Sequence, residues 1–495
     1  MHSQVYHSHE IQAWEARWFQ QQNSSFGLMQ QVAWSIAQRL DAIFSSQDKI
    51  QQVAIWCGSG NNAGDGYCLA KYLQDLGYKI TIFAAERGQS ADLAKAFQLA
   101  HTHQVEIQHH FKTENHFDCH IDALFGIGLN RDLDMIWQEI IENFNAQSGL
   151  KIAIDVPSGL NANTGQPLPT AVKADLTYSV LGLKAGLFTG QGKEFSGKVE
   201  LISAIPTDDE LQKIAELSPN FITLPQRQAF GHKGSYGHVL VVGGHAEMGG
   251  AVMMAAESAF SAGAGKVTIV CDAKHHTAIL ARSPNIMLRD INALSDSEID
   301  DLIQLVDAVS LGMGLGRDTW AEQQFLKWFP KINQTTHLQI VLDADALWFL
   351  AEHPVKVNEN TYLTPHPGEA AKLLNCCVKQ IETDRIAAIK KLQEKYAGQW
   401  VLKGAGSLIL DDQLWICTAG NAGMGTGGMG DVLAGMIASL KAQFYENIQL
   451  HQIVTLHALA GDYLAEKGQR GLQAHHMNDA VYYVVNHCGE SSDKT

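Results

Sequence analysis

Two α/β domains built on mostly parallel sheets are predicted by three features of the sequence. Short apolar runs alternate with amphipathic stretches, glycine-rich turns follow those runs, and the pattern weakens once near the middle of the chain. A strand buried on both faces reads as an unbroken apolar run, because helices cover the sheet on each side. The runs "QVAIWC" (52–57), "KITIFAA" (79–85), "HIDALF" (120–125) and "KIAIDV" (151–156) are the expected strands of the first domain. Between them lie amphipathic segments such as "DGYCLAKYLQDLG" (65–77), and residues 8–42 carry helical periodicity ahead of the series. Charges and prolines interrupt the pattern over 196–234, which places the boundary between domains 1–222 and 223–495. A second series follows: "HVLVVGG" (238–244), "KVTIVC" (266–271), "DAVSLGMG" (307–314), "LQIVLDADAL" (338–347) and "QWVLKGAGSLIL" (399–410), then helical patterns over 430–466.

Bulk properties narrow the function. A chain of 495 residues exceeds one ordinary core. Its formal net charge of −16 argues against a nucleic-acid partner or an acidic membrane surface. The eight cysteines contain no CxxC pair and read as reduced thiols of a reducing compartment. No signal peptide opens the chain and no apolar run reaches about eighteen residues, so a cytoplasmic location without membrane insertion is expected. The histidine pairs lack zinc-ligand spacing.

The densest chemical signal is "GNAGMGTGGMGDVLAGM" (420–436). Glycines let backbone N–H groups approach a ligand without Cβ in the way, and the helix that follows favours an anion at its start. Asp431 falls in the first turn. It reads either as a residue complementing the helix dipole or as a general base beside a phosphate nest. "LKGAGSLI" (402–409) offers a lysine and two glycines at a strand end, a second phosphate contact. "TPHPGEAAKLL" (364–374) sets His366 between two prolines, for which backbone needs alone give no ready reason.

Together with "HKGSYG", "LGMGLG" and "LDADAL", these blocks resemble the ribokinase-like family, and within it the ADP- or ATP-dependent NAD(P)H-hydrate dehydratases. Met313 stands where that family usually has proline. The resemblance implies that Asp431 takes the proton of the hydrate's hydroxyl as it attacks a nucleotide's terminal phosphoryl group. It further implies that Lys403, Gly404, Ala405, Gly406 and Ser407, with Gly427, Gly428 and Gly430, hold the nucleotide. Ala251, Gly314 and His366 would line the hydrate pocket. ADP, with Mg2+, is the implied co-substrate.

In the first half, "VAIWCGSGNNAGDGYCLA" (53–70) is a strand, a glycine turn and a helix, with G-x-G-x-x-x-G spacing that is not the dinucleotide fingerprint. Asn61, Asn62 and Asp65 put amides and a carboxylate at a helix start, which suits a phosphate with a cation. "DALFGIGLNRD" (122–132), "IAIDVPSGLNANTG" (152–165) and "LGLKAGLFTG" (181–190) add Asp122, Arg131, Asp155, Ser158 and a lysine at strand ends. The set resembles the YjeF N-terminal family of NAD(P)H-hydrate epimerases, with Ser59 and Ala63 replacing a proline and a glycine of its usual pattern. By that resemblance Asn62, Asp122 and Ser158 bind K+, and Asp155 is the acid–base. The hydrate would be contacted by Asn61, Asn62, Ala63, Gly64 and Asp65, and by Gly126, Ile127, Gly128, Leu129, Asn130, Arg131 and Asp132. The implied folds are a Rossmann-like three-layer domain followed by a ribokinase-like domain. The implied activity is epimerisation of hydrated NADH and NADPH, then ADP-dependent dehydration of the S epimer, in a homo-oligomer. The competing reading is a small-molecule kinase of the second fold with a non-catalytic N-terminal binding module.

Overall fold

In the computed structural model, residues 3–46, 50–112 and 116–487 are described, and they form two units, Met1–Glu216 and Leu217–Thr495. Cys488, one of the cysteines read as a free thiol, lies outside the described residues.

The first unit opens with β1 (Gln4–Tyr6), α1 (Ser8–Gln20) and α2 (Ser25–Ser46), so the N-terminal helical periodicity belongs to two helices rather than one. Then come β2 (Gln52–Cys57), α3 (Asn61–Asp75), β3 (Lys79–Ala84), α4 (Ala91–Thr102), β4 (Glu106–Gln108), β5 (Cys119–Ala123), α5 (Met135–Ala146) and β6 (Leu150–Ile154). The unit continues with β7 (Leu176–Val180), β8 (Leu183–Lys184), α6 (Gly192–Phe195), β9 (Lys198–Ile202) and β10 (Lys213–Leu217). Seven of these strands make a wholly parallel sheet in the order β4-β3-β2-β5-β6-β7-β9. Alternate residues of each strand feed opposite cores, as the two-residue period requires. Val53, Ile55 and Ile121 join Leu28, Val32, Ile36 and Leu69 of α2 and α3. Ala54, Trp56 and Phe83 join Ile141 and Phe144 of α5 on the other face. The chain runs outward from β2 through β3 to β4 and then returns to place β5 on the other side of β2. That reversal makes the β2/β5 crevice the topological switch point, where open α/β sheets hold ligands.

The second unit repeats the logic. Its elements are β11 (His238–Val242), α7 (Gly249–Ser261), β12 (Lys266–Cys271), α8 (His276–Arg282), β13 (Met287–Asp290), α9 (Asp296–Leu305), β14 (Ala308–Leu311) and α10 (Thr319–Gln334). These lead to β15 (Gln339–Leu342), α11 (Asp345–Glu352), β16 (Thr361–Leu363), α12 (Pro367–Leu374), α13 (Val378–Thr383), α14 (Arg385–Tyr396) and β17 (Gln399–Leu402). The chain then runs through β18 (Leu408–Leu410), β19 (Leu414–Ile416), α15 (Met429–Phe444), α16 (Leu450–Ala465) and α17 (Met477–His487). The strand order is β13-β12-β11-β14-β15-β16-β17-β18-β19, parallel as far as β17 and antiparallel through the last two. The run 399–410 is therefore a hairpin turning at 403–407. Its switch point is the β11/β14 crevice. Helices α7, α15 and α16 pack on one face over Val239, Val241, Val267, Ile269 and Val341. Met313, the replacement for the family's proline, is wholly buried in that core. Among the described residues no helix is long and apolar enough to cross a membrane.

Candidate active sites

At the first switch point the turn after β2 passes so close to the end of β5 that no Cβ fits on Gly58: it would lie 2.0 Å from the Leu124 carbonyl oxygen. Helix α3 starts at Asn61, four residues before the expected segment, so Asn61 and Asn62 occupy its first turn. Asn62 is buried and donates from Nδ2 to the carbonyl oxygens of Phe125 (2.9 Å) and Ile154 (3.4 Å). That ties α3 to the loops after β5 and β6.

Asp122, at the end of β5, is fully buried. It accepts from Ser158 Oγ at 2.6 Å, Ser158 N at 2.7 Å and Leu124 N at 3.0 Å, while Ser158 Oγ accepts from Phe125 N at 2.8 Å. Burial pushes the Asp122 carboxyl up to about 6, and the hydrogen bonds of Ser158 and Leu124 oppose that rise. Among the described residues no lysine, arginine or histidine forms an ion pair with it.

Asp155 follows β6 in the left-handed region, at φ 71°, a costly conformation for a residue with a Cβ. The Asp155 N–H donates to Tyr178 O at 2.8 Å. Its Oδ2 accepts from Ile127 N at 3.0 Å, and its Oδ1 takes Lys184 Nζ at 2.5 Å. Lys184 has no solvent exposure and also donates to Val180 O (2.7 Å) and Ser179 Oγ (3.2 Å). Burial, then the charges of Asp155 and Glu15, push Asp65 well above the usual carboxylate range. The structure thus gathers Asn62, Asp122, Gly126, Ile127, Asp155 and Ser158, and the glycine at 126 leaves Oδ2 of Asp155 room. Ala63 and Gly64 are buried in α3, Asp65 and Leu129 are half-buried, and Asn61, Gly128, Asn130, Arg131 and Asp132 lie exposed at the rim. Glu15 of α1 escaped the sequence reading, since one acid on an amphipathic helix carries no signal.

In the second unit the strand ends supply a denser set. Lys403 leaves β17 with Nζ 2.7 Å from Asp343 Oδ1 and 3.8 Å from Glu369 Oε2. Asp343, 2% exposed, also accepts from Thr364 Oγ1 at 2.8 Å. Burial pulls Lys403 down, but Asp343 and Glu369 outweigh it and hold the ammonium above its ordinary value. A Cβ on Gly430 would stand 3.1 Å from both Asp343 Oδ2 and Lys403 Nζ, so the first turn of α15 lies directly on this pair. Gly428 caps that helix at φ 94°, and a Cβ there would strike Ala474 and Met254. Asp431, one residue on from Gly430, is pushed up to about 7 by burial and by the Asp343 charge, with Lys403 opposing. Burial and the Asp343 charge, not the helix start, set this shift, and a carboxyl near neutrality in a buried group is compatible with the base reading.

The 403–407 turn is braced from below by Arg385, 2% exposed, which donates from NH2 to the carbonyls of Leu402 and Lys403 at 3.0 Å each. Ser407 Oγ donates back to Gly404 O at 3.0 Å. Gly314 and Ala251 meet across the β11/β14 crevice, where a Cβ on Gly314 would lie 3.2 Å from that of Ala251. One turn further along α7, Met254 touches Gly428. His366 proves to be a helix cap: its Nδ1 accepts from Gly368 N and Glu369 N, and Glu369 Oε2 accepts from His366 N, while Pro367 takes the first helical position. The second of the bracketing prolines, Pro367, thus has a local structural reason. The ring still faces the Asp343–Lys403 group electrostatically. Sequence reasoning assigned no role to Asp343 or Glu369; Asp343 carries one signal, an acid directly after an apolar strand, and Glu369 in the first turn of α12 carries none.

Two family models match the chain. One described as NAD(P)H-hydrate dehydratase spans residues 239–482, and one described as YjeF-related protein N-terminus spans 25–186. The bifunctional NAD(P)H-hydrate repair enzyme Nnr of Coxiella burnetii is 37% identical over 465 residues, covering 90% of this chain and 92% of its own. The enzyme of the same name from Escherichia coli K12 is 34% identical over 446 residues, covering 87% and 84%. Among solved structures, an ADP/ATP-dependent NAD(P)H-hydrate dehydratase from Bacillus subtilis, co-crystallised with ATP and Mg2+, aligns at 25% identity with a TM-score of 0.48 over 54% of this chain and 95% of that one.

Proposed function

The chain belongs to the bifunctional NAD(P)H-hydrate repair enzymes, and from that premise we propose how its residues divide the two reactions. It interconverts the R and S hydrates of NADH and NADPH and dehydrates the S hydrate to the reduced cofactor. We assign the epimerase to residues 1–222 and the dehydratase to 223–495.

The observation that carries the assignment is Asp431, lifted to about 7 directly beside the Asp343–Lys403 pair at a glycine-capped helix start. Near neutral pH such a carboxyl both exists as the anion and retains the strength to take a proton. In the dehydratase, Asp431 removes the proton of the ring hydroxyl as that oxygen attacks the terminal phosphoryl group of ADP. The attack leaves AMP and a phosphorylated hydrate; the ring nitrogen's electron pair then expels phosphate as a C=N bond forms, and loss of the proton on the neighbouring ring carbon to solvent restores the reduced cofactor. Lys403 and the 404–407 turn hold phosphate oxygens, and the N–H groups of Gly427, Gly428 and Gly430 complete the anion cradle. Ala251, Gly314 and His366 position the hydrate. ADP arrives with Mg2+, for which the Asp343 and Glu369 carboxylates are hard oxygen donors.

In the epimerase, Asp155 handles the proton as the ring hydroxyl departs and water returns on the opposite face. Residues 61–65 and 126–132 receive the hydrate. The set Asn62, Asp122 and Ser158 suits K+: it offers only hard oxygens as ligands, around a buried carboxylate that has no cationic partner among the described residues. A bound K+ would balance the Asp122 charge and attract substrate phosphate.

A cytoplasmic homo-oligomer completes the proposal; exposed Met135 and Ile136, each 69% exposed, are apolar surface of the kind subunits cover. The decisive experiment supplies hydrated NADH with ADP or ATP to the purified chain and follows reduced-cofactor absorbance. Recovery with release of inorganic phosphate supports the reading; a stable phosphorylated product instead establishes a kinase.

A further inference from the structure

We propose that Glu15, on helix α1, is the proton donor of the epimerase site, acting opposite the Asp155 carboxylate that Lys184 holds. The proposal rests on the assignment of Asp155 above and divides the acid–base work that Asp155 alone would otherwise perform.

The need for a second group follows from the hydrogen bonds. Lys184 has three N–H protons, and all three are directed to protein acceptors: Asp155 Oδ1 at 2.5 Å, Val180 O at 2.7 Å and Ser179 Oγ at 3.2 Å. It has none to give a substrate. Asp155, in contact with that enclosed ammonium and with Ile127 N, is arranged as a proton acceptor. A hydroxyl leaving a ring carbon needs a donor, because it departs as water.

The fold delivers one. Strand β1 pairs in parallel with β8, setting Tyr6 opposite Lys184, and α1 begins two residues later. Ser8 N donates to Asn163 Oδ1 at 2.8 Å, and Asn163 Nδ2 donates to Ser8 Oγ at 3.0 Å, which pins α1 to the loop that carries Ser158. One turn on, Ile11 sits against Gly182, where a Cβ would come within 3.0 Å of its Cδ1. Ser8, Ile11 and Glu15 are spaced by three and four residues and share one helix face, so Glu15 follows Ile11 along the β8 side.

The groups facing Glu15 are Asp155 after β6, Lys184 on β8 and Asp65 on α3. On α1 itself, Arg17 is engaged with Asp208 at 2.5 Å and Glu210 at 3.7 Å. Burial, then repulsion from Asp155, pushes the Glu15 carboxyl to about 7 against the pull of Lys184, so near neutral pH a large share of it carries a proton to give. Helix α1 lies outside residues 25–186, the segment matched to the YjeF-related N-terminus.

In the step proposed, the Glu15 proton passes to the ring hydroxyl, the C–O bond breaks with water leaving, and the ring-nitrogen electron pair forms a C=N bond. Water then adds to the opposite face, giving a proton to Asp155. Solvent returns that proton to Glu15, so atoms and charge balance over the cycle.

The test uses the full chain without nucleotide, one purified hydrate epimer, and chromatography of both epimers from roughly pH 6 to 9, with the spontaneous rate subtracted. Glu15→Gln is expected to slow epimerisation about 100-fold or more and to abolish the decline on the alkaline side. Glu15→Asp should retain that decline at a reduced rate, and nucleotide-dependent dehydration of the S hydrate should be unchanged in both variants. Epimerisation by Glu15→Gln within threefold of the parent, or an alkaline decline that survives it, overturns the proposal; so does a Glu15→Asp chain without the decline. Wild-type epimerisation by Asp155→Asn overturns instead the assignment beneath it.

Discussion

Replacing Asp431 with asparagine should separate catalysis from stability at a single position. Burial and the Asp343 carboxylate raise this carboxyl from its ordinary 3.8 to about 7, with Lys403 opposing. A group that binds its proton more tightly when folded lends stability that is fully present below pH 3.8 and lost as the pH rises through about 7. At about 1.4 kcal/mol per pH unit, carrying the ionised acid above neutrality costs the fold at most roughly 4 kcal/mol. Asparagine has nearly the same shape and no charge. Asp431→Asn should therefore unfold several degrees higher than the parent at about pH 8, with the advantage shrinking towards about pH 4. The same change should slow dehydration about 10²- to 10⁴-fold while epimerisation continues. Thermal unfolding at several pH values, together with recovery of reduced-cofactor absorbance from the S hydrate and ADP, reads both effects. A variant less stable than the parent at the alkaline end would refute the electrostatic account, and equal loss of both activities would refute the two-site scheme.

Burial lifts the Asp122 carboxyl to about 6, so its protonation competes with K+: the K+ concentration needed for half-maximal epimerisation should rise as the pH falls through about 6. Replacing K+ with Li+ in the epimerisation assay should slow the reaction at every pH, and indifference to the cation would argue against the K+ assignment. Arg385→Met leaves the carbonyls of Leu402 and Lys403 without their donor, at a cost of about 1–3 kcal/mol. The nucleotide KM should rise with little change in epimerisation, and an unaltered KM would mean that the 403–407 turn holds its shape without the guanidinium. Gly428→Ala places a Cβ on a left-handed residue and against Ala474 and Met254, which should cost about 1–3 kcal/mol in thermal unfolding and weaken nucleotide binding. Parent-like stability would show that the α15 cap tolerates a side chain.

The strand series was legible because it rests on a local pattern: "QVAIWC" occupies β2, Gln52–Cys57, residue for residue. Elements whose reason is tertiary were not. The run 399–410 looks continuous in hydropathy, yet it folds into β17 and β18 because Gly404 and Gly406 take positive φ between them. Strands β1 and β8 span three and two residues and exist through their pairing with each other and with β10. Helix α3 begins at Asn61 because the chain turns at Gly60, before the amphipathic pattern declares itself. In the sites, single acids after strands were visible, while the groups that set their chemistry come from distant positions. Lys403 meets Asp343 across 60 residues and Ser158 meets Asp122 across 36. His366 shows the converse: a sequence context without an evident backbone reason that includes a capping box.

The two carboxylates proposed as catalytic are prepared in contrasting ways, and the contrast fits the two proposed chemistries. Asp155 is fixed on a left-handed backbone, with Lys184 on one oxygen and Ile127 N on the other, so its position is set before substrate arrives. Among the described residues no cation forms an ion pair with Asp431, and the nearby Lys403 is engaged by Asp343. Its carboxyl therefore stays near the proton-exchange point, as a base must when it activates an alcohol for attack on phosphorus. On the proposed assignment, incoming phosphate would compete with Asp343 for Lys403, and a lysine drawn to the nucleotide would leave the Asp343 charge for a metal ion to balance. Asp343→Asn removes that competition. It should tighten ADP binding in the absence of Mg2+ and shift the rise of dehydration with pH to lower values, since the largest repulsive charge on Asp431 is gone. Weaker ADP binding without Mg2+, or a rise that stays near pH 7, would show that Asp343 acts on neither Lys403 nor Asp431 in the way the geometry requires.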